Sequence, residues 1–140
     1  MLLQDLEISP EKEDWIKKHW NTEIRYGFGI PECGPVISIN CPDYDIPDLS
    51  GTNRVNQGSE DGTVGRSLPG VAVKIIDKET YVEMGADEIG QILVKGPNVI
   101  SESSASSEIE FRDGWFVTPF KGSLSSKGFL TLTGPESVIV

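Results

Sequence analysis

The sequence "YGFGIPECGPVISIN", residues 26–40, gives the strongest structural signal in the chain. Two glycines lie beside aromatic side chains at its start, a single carboxylate (Glu32) follows, and a β-branched run ends it. Glycine permits a sharp turn, and β-branched residues favour strands. The pattern therefore predicts short strands over 24–28 and 36–39 on either side of a loop. That loop is either an ordinary hairpin connection or a segment that brings an aromatic face and one acid to a ligand.

Length and composition restrict the classes of protein to be considered. The 140 residues suit one domain, and 37% hydrophobic residues with 15 glycines and 9 prolines favour a turn-rich, mainly β fold. A net charge of −10 argues against binding to nucleic acid or to an anionic membrane. No signal peptide is visible at the start of this sequence, and no apolar run is long enough to form a transmembrane segment, so a cytoplasmic location is expected. Two cysteines without nearby histidines predict neither zinc nor a disulfide framework.

The first predicted element is a helix over 10–20. Ser9 and Pro10 are typical of a helix start, acidic residues fill the first turn, and basic residues fill the last. Farther along, the alternating segments 71–77 and 89–96 predict two strands that pair as a hairpin.

The remaining chain divides by composition. The predicted organisation is a helix with a strand–loop–strand unit (1–40), an acidic irregular insertion (41–62) and a small β-barrel subdomain (63–140). Within the last part, the low-complexity run 101–108 predicts a flexible loop, and "DGWFVT", "GSLSS" and "GFLTLTG" predict three short strands. The predicted fold class is therefore mainly β with one short N-terminal helix (α+β), an open barrel or sandwich of about seven short strands.

Four blocks of the sequence carry a family resemblance. In chain order they are "YGFGIPECGPVISIN", "GTVGRSLPGVAVKIID", "GQILVKGPNVI" and "DGWFVTPFKGSLSSKGFLTLTG". They resemble the adenylate-forming (AMP-binding) acyl-CoA and acyl-ACP synthetases, and most of all the bacterial acyl-ACP synthetase/2-acylglycerophosphoethanolamine acyltransferase branch. The resemblance implies the barrel-like subdomain of such an enzyme. It also implies activation of a fatty acid by ATP and Mg²⁺ through an acyl-adenylate, with transfer to CoA or acyl carrier protein.

The resemblance also implies roles for residues of the opening stretch. The family pattern aromatic-Gly-x-Thr-Glu aligns with residues 28–32. Phe28 and Gly29 would then belong to the nucleotide site, and Glu32 would be the carboxylate that helps to hold Mg²⁺. Pro31 stands where the family has a hydroxyl residue, and proline offers neither a hydroxyl nor an N–H to phosphate.

Two later motifs depart further from the family. The family's Thr-Gly-Asp, whose Asp accepts the ribose hydroxyls, aligns with Thr118, Pro119 and Phe120, so only the threonine is kept. The hinge into the family's C-terminal lid aligns with 134–137, "GPES", which lacks both of the expected cations. The family's phosphate loop would be expected upstream of this chain, and its lysine-bearing lid beyond Val140. The resemblance is therefore partial and degenerate, and no catalytic residue is predicted here.

Each candidate residue also has a purely structural interpretation. Glu32 can be a solvated loop carboxylate, and Cys33 a small packing residue. His19 can be a charge that stabilises the end of the helix. The segment 121–128, "KGSLSSKG", lacks phosphate-loop spacing and predicts a hairpin turn. The aromatic side chains can all be core residues (Phe28, Trp115, Phe116, Phe120).

Two functions of different class remain open. The chain is either part of a fatty-acid-activating ligase that contributes to an ATP/acyl-adenylate site and is inactive alone, or a non-catalytic binding or interaction module on the same fold. The family blocks favour the first function. The acidic segment 41–62 and the substituted motifs favour the second. No bound cofactor is expected for this chain by itself.

Overall fold

A computed structural model of the chain describes residues 8–34 and 36–133. The fold is mainly β with one α-helix, as the sequence predicts, and its largest sheet curls like half of a barrel. The hinge that aligns with 134–137 lies outside the described residues. Ten strands follow helix α1 (Pro10–Trp20): β1 (Gly27–Phe28), β2 (Ser38–Ile39), β3 (Tyr44–Pro47), β4 (Asn53–Asn56), β5 (Arg66–Ser67), β6 (Ala72–Ile76), β7 (Gly90–Lys95), β8 (Phe111–Arg112), β9 (Trp115–Leu124) and β10 (Leu130–Thr133).

Helix α1 has the predicted bounds. Pro10 lies in its first turn, and Asn21 ends it in a left-handed conformation with φ of 48°. None of its residues is buried, and Trp15 and Trp20 are about half exposed. His19 lies in the last turn as predicted, with its ring stacked on Trp15 at 4.3 Å. In the part of the chain that the structure describes, no helix is long and apolar enough to cross a membrane.

The stretch 26–40 forms two antiparallel strands around a loop. Strands β1 and β2 pair directly and are shorter than predicted, and β5 adds to the other edge of β2. Between β1 and β2, the chain makes one turn of 3₁₀-helix at Pro31–Cys33. The predicted strand–loop–strand arrangement is therefore confirmed.

The acidic segment contains an element that the sequence analysis did not predict. Instead of an irregular connection, its centre is an antiparallel hairpin of β3 and β4. Asp48 turns the chain because its carboxylate accepts hydrogen bonds from the backbone N–H and the hydroxyl of Ser50. Almost every hairpin residue is exposed, so the alternation of apolar and polar residues that identifies a half-buried strand is missing.

The largest sheet has the strand order β10-β9-β7-β6, with β8 paired to β9. The predicted hairpin of 71–77 with 89–96 is confirmed as β6–β7. The two strands predicted from "DGWFVT" and "GSLSS" are instead one continuous strand, β9, because the chain bulges at its centre without leaving the sheet. The predicted turn in "KGSLSSKG" is confirmed between β9 and β10. The predicted loop 101–108 contains a short 3₁₀-helix at Glu102–Ser104.

The core lies between the two larger sheets. Its fully buried side chains come from both sheets and include Phe28, Ile37, Ile92, Val94 and Leu130. Backbone hydrogen bonds also join the sheets, because Val64 N–H donates to Leu130 O and Leu130 N–H donates to Gly65 O, both at 2.8 Å. The loop of residues 26–40 is thereby fixed against the larger sheet.

Gly65 has to be glycine for two separate reasons. Its φ of +83° is left-handed, and a Cβ there would overlap the backbone of Ile39 and Asn40. Gly70 has almost the same φ, +84°, but nothing lies within 4 Å of its Cβ position.

We expect Gly65→Ala to lower the free energy of unfolding by about 3 kcal/mol or more, and Gly70→Ala by only about 1–2 kcal/mol. Urea denaturation measures both, and equal losses would contradict the steric role of Gly65.

Candidate functional site

The loop at Pro31 and Glu32 and the segment 118–120 meet in one cleft of about 780 Å³. The structure therefore brings together two of the three motifs that the sequence analysis identified. Apolar side chains form much of the wall, including Ile30, Ile109 and Phe116. The volume lies in the range of small-molecule sites.

A β-bulge determines how residues 118–120 face this cleft. Gln91 of β7 pairs with Lys121 and Leu93 with Val117, so two steps on β7 oppose four on β9. Three residues of β9 (Thr118, Pro119 and Phe120) thus oppose the single residue Ile92 of β7, an excess of two residues. Bulges commonly re-aim side chains near functional sites, and this one turns the Thr-Pro-Phe segment toward the Glu32 loop.

Gln91 compensates for the pairing that the bulge loses. Its side-chain amide donates hydrogen bonds to the carbonyls of Thr118 and Phe120, the second at 2.9 Å. In return, the hydroxyl of Thr118 donates to Ile92 O at 2.9 Å. Both side chains are buried, with exposures of 5% for Gln91 and 1% for Thr118. The Thr118 hydroxyl is therefore committed to the sheet.

Phe120 covers the aromatic residue assigned to the nucleotide site. Phe28 is fully buried, and the Phe120 ring meets it edge to face with the ring centres 5.3 Å apart. Gly29 is buried next to Phe28 in the same strand–loop segment. A ligand could stack on Phe28 only after core side chains had moved aside. The interpretation of Phe28 and Phe116 as core residues agrees with their burial.

The loop that carries Glu32 is held by the segment that follows β7. Ile100 N–H donates to Glu32 O at 2.7 Å, and the Asn98 side-chain amide donates to Cys33 O at 2.5 Å and to Val36 O at 3.3 Å. The side-chain oxygen of Asn98 is buried without a hydrogen-bond partner among the described residues. The position of Glu32 is thus fixed through its backbone, and its side chain remains half-buried at the cleft.

The charges around the cleft are mainly negative. The cleft is lined by three acidic residues, Glu32, Glu108 and Glu110, and by one basic residue, Lys78. No group of three or more histidine, cysteine or acidic side chains that could hold a metal ion occurs within residues 8–34 and 36–133. Glu32 could serve as a single Mg²⁺ ligand, with the other oxygens coming from water and a bound phosphate.

These side chains do not fit a nucleotide. The candidate aromatic face of Phe28 is covered, position 120 offers a phenyl ring instead of a carboxylate, and Pro31 offers no hydrogen-bond donor. The cleft is also too acidic to attract a polyphosphate. The cleft combines an apolar wall with a lining of three glutamates and one lysine.

The sequence analysis did not identify Gln91 or Asn98 as residues of the site. Gln91 is a single amide inside the apolar run "IGQILVKG", and an uncharged polar residue that is buried in a strand needs a hydrogen-bond partner. Asn98 stands in a Gly-Pro-Asn segment typical of a turn. Neither pattern identifies the distant backbone carbonyl to which the side-chain amide donates its hydrogen bond.

Comparison with known proteins assigns the chain to a family. Residues 5–102 match the family described as AMP-binding enzyme, so the chain belongs to the adenylate-forming AMP-binding enzymes. The match includes the loop with Glu32 and ends before the bulge at 118–120.

The curated relatives are much longer ligases and synthetases. Nonribosomal peptide synthetase apvA of Aspergillus terreus is 32% identical over 122 residues, which are 81% of this chain and 12% of that protein. A probable 4-coumarate–CoA ligase 2 of Dictyostelium discoideum is 33% identical over 87% of this chain and 21% of its own length. A long-chain-fatty-acid–CoA ligase of Salmonella typhimurium is 28% identical over 86% of this chain and 19% of its own length. The chain therefore spans between 12% and 21% of these three proteins. The acyl-ACP synthetase branch stays a prediction.

Solved structures agree on the fold. Apo MatB from Rhodopseudomonas palustris superposes with a TM-score of 0.68 at 25% identity, over 94% of this chain and 24% of that one. ATP-bound MatB from the same organism gives 0.61 at 26% identity, over 89% and 23%. The barrel-like subdomain expected from the sequence is therefore confirmed as part of an adenylate-forming N-terminal domain.

Cys33 and Cys41 should differ sharply in reactivity. Cys33 is fully buried, and burial, with a smaller effect of the Glu32 charge, raises the pKa of its thiol to about 12. Cys41 is exposed. Since the thiolate is the reactive form, we expect iodoacetamide to label one thiol of the folded protein quickly. The variant Cys41→Ser should resist labelling until urea unfolds it, and rapid labelling of that variant would show that the loop opens in the native state.

The raised pKa of Cys33 also predicts a pH effect on stability. Above the ordinary value of 9.0 the unfolded chain loses the thiol proton, whereas the folded chain keeps it up to about 12. The free energy of unfolding should therefore fall as pH rises from 9.0 toward 12. Urea titrations of wild type and Cys33→Ala across this window measure the effect, and it is contradicted if both proteins lose stability equally.

Proposed function

We propose that this chain is the barrel-like segment of a cytoplasmic ligase that activates a fatty acid with ATP, and that the segment has no turnover of its own. Its family membership and its likeness to adenylate-forming N-terminal domains support this assignment. The relatives' names favour an acid–thiol ligase, since two of them are CoA ligases. CoA or acyl carrier protein is the expected thiol acceptor, and the acyl-ACP synthetase branch is the expected one.

The observation that carries the proposed inactivity is the Phe28–Phe120 contact. With ring centres 5.3 Å apart, Phe120 shields the side chain that would face adenine and removes the carboxylate that would accept the ribose hydroxyls. A buried aromatic pair stabilises a fold by about 0.5–1.5 kcal/mol beyond its area burial. A nucleotide would have to break this contact without gaining a ribose hydrogen bond in return.

One observation favours the alternative, a non-catalytic binding module. The cleft keeps a volume of about 780 Å³ and an apolar wall while its rim carries three glutamates and one lysine. Such a cavity suits an uncharged or cationic ligand better than ATP, because a polyphosphate would be repelled. Under this alternative the fold is retained for a ligand that is not a nucleotide.

Replacing Phe120 tests the proposal directly. We expect the NMR amide shifts of the wild-type chain to stay constant when ATP is added to several millimolar, with or without Mg²⁺. A dissociation constant of about 1 mM, which corresponds to a binding free energy of about −4 kcal/mol, would already be detected at these concentrations. Phe120→Asp restores a carboxylate and uncovers Phe28, so ATP with Mg²⁺ should now shift the amides of 28–32 and 115–120. Phe120→Leu is the matched control, because it removes the ring without adding the acid, and it should not respond.

The outcomes separate the possibilities. Saturating shifts in the wild type would contradict the proposed loss of the nucleotide site. No response from Phe120→Asp would contradict the role of Phe120, provided that urea denaturation shows the variant to be folded. A response from Phe120→Leu equal to that of Phe120→Asp would show that steric cover alone, and not the missing carboxylate, blocks the site.

A further inference from the structure

A second groove is lined by the β3–β4 hairpin, by Arg66 of β5 and by Lys127 of the β9–β10 turn. It has a volume of about 740 Å³ and runs between the β3–β4 hairpin and the β9–β10 turn. Its charged lining consists of three basic residues, Arg54, Arg66 and Lys127, and one acidic residue, Asp48. The groove therefore carries a net charge of +2 (three cations and one anion) on a chain whose net charge is −10.

Arg66 builds the floor of this groove. Its guanidinium donates to Lys127 O and to Gln57 O, both at 2.8 Å, and lies over the Phe129 ring at 4.3 Å from the ring centre. These contacts join the end of the hairpin to the β9–β10 turn. Because its donors are used within the fold, Arg66 contributes charge and shape more than free hydrogen bonds.

The other two cations are available to a partner. Arg54 is exposed and has no hydrogen-bond or ion-pair partner among the residues that the structure describes. Lys127 is exposed, and its ammonium makes a single hydrogen bond, to the Gln57 side chain at 3.1 Å. Hydrogen bonds from the Ser50 hydroxyl and backbone N–H hold the pKa of Asp48 below its usual range, so this acid stays charged and offsets one of the three cations.

Exposed apolar side chains surround these charges. Ile46 is 44% exposed, Leu49 is fully exposed, and Val55 is 65% exposed, and all three line the same groove. A two-stranded hairpin is marginally stable by itself in water, and this one pairs with no third strand in the described part of the fold. Apolar contact with a partner would stabilise it, and the cations restrict the partner's charge.

We infer that this groove, formed by the hairpin and the β9–β10 turn, is a docking surface for an acidic, amphipathic segment of a partner protein. The apolar face of the segment packs on Ile46 and Leu49. Its carboxylates pair with Lys127 and with Arg54, which lies directly opposite Ile46 across the hairpin. The local excess of cations in the groove carries the choice of an acidic partner. The inference does not depend on the proposed ligase function, because the groove shares no lining residue with the cleft of Glu32 and Phe120.

The probe is a synthetic helical peptide with leucines on one face and glutamates on the other, titrated against the full chain at physiological salt. We expect NMR amide shifts within 46–57 and at Lys127, and weaker binding as salt rises. The same peptide with lysine in place of glutamate should not bind. Equal binding of both peptides would overturn the inference, as would shifts located elsewhere on the surface.

Charge-reversed variants provide the matched control. Arg54→Glu combined with Lys127→Glu should weaken the acidic peptide by about tenfold or more. Lys12→Glu with Lys121→Glu makes the same change in net charge at exposed positions outside the groove, and should leave the affinity nearly unchanged. Equal losses in both double variants would overturn the inference, because net charge alone would then explain binding.

Two other occupants would also overturn it. Inorganic phosphate that shifts the same amides as strongly as the peptide would show that the groove takes a small anion. Sedimentation that finds a dimer whose interface maps to 46–57 would show that a second copy of the chain covers it. These comparisons require urea denaturation to show that the wild type and the charge-reversed variant are both folded.

Discussion

The two hydrogen bonds that the Gln91 amide donates to Thr118 O and Phe120 O are the constraint on which this structure depends. A strand of ten residues with a proline near its centre would lose part of its ladder at that point, and buried carbonyls without donors are costly. One buried side chain supplies the missing donors. The sheet therefore stays continuous through the bulge, and the bulge sets the direction of every group that β9 contributes to the cleft.

The same constraint commits two groups of the cleft to contacts within the fold. The Thr118 hydroxyl bonds to the backbone of β7, and the Phe120 ring packs on Phe28, so both are now structural groups. Cys33 next to Glu32 is a buried core residue, and the Glu32 backbone is tied to Ile100. The Thr118 hydroxyl has a partner within the fold, and a polar group that bonds within the fold costs little to bury.

How far the sequence predicts this structure depends on how local each signal is. The helix at Pro10–Trp20 and the β6–β7 hairpin follow from capping, charge and alternation within a few residues, and both were predicted. The family blocks also assigned Glu32 and Thr118 to one nucleotide site. Both line one cleft, and their roles in binding stay predictions. The β3–β4 hairpin could not be predicted from hydrophobic alternation, because nearly all of its side chains face solvent. The bulge could not be predicted either, because it depends on an amide some 27 residues away in the chain.

The base of the β3–β4 hairpin has a consequence for how this region can change over time. Cys41 N–H donates to Gly58 O at 2.9 Å, Gly58 N–H donates to the Asp43 carboxylate at 2.8 Å, and a Cβ on Gly58 would run into the carbonyl of Pro42. Residues 41–43 and Gly58 therefore form a hydrogen-bonded base, here called the neck, at which the chain leaves the rest of the protein and returns to it. Residues between the two sides of the neck can be lengthened, shortened or exchanged without re-routing the strands beneath, since loop closure depends only weakly on length. The hairpin is thus a module that natural variation or an engineer can replace while keeping the scaffold that supports it.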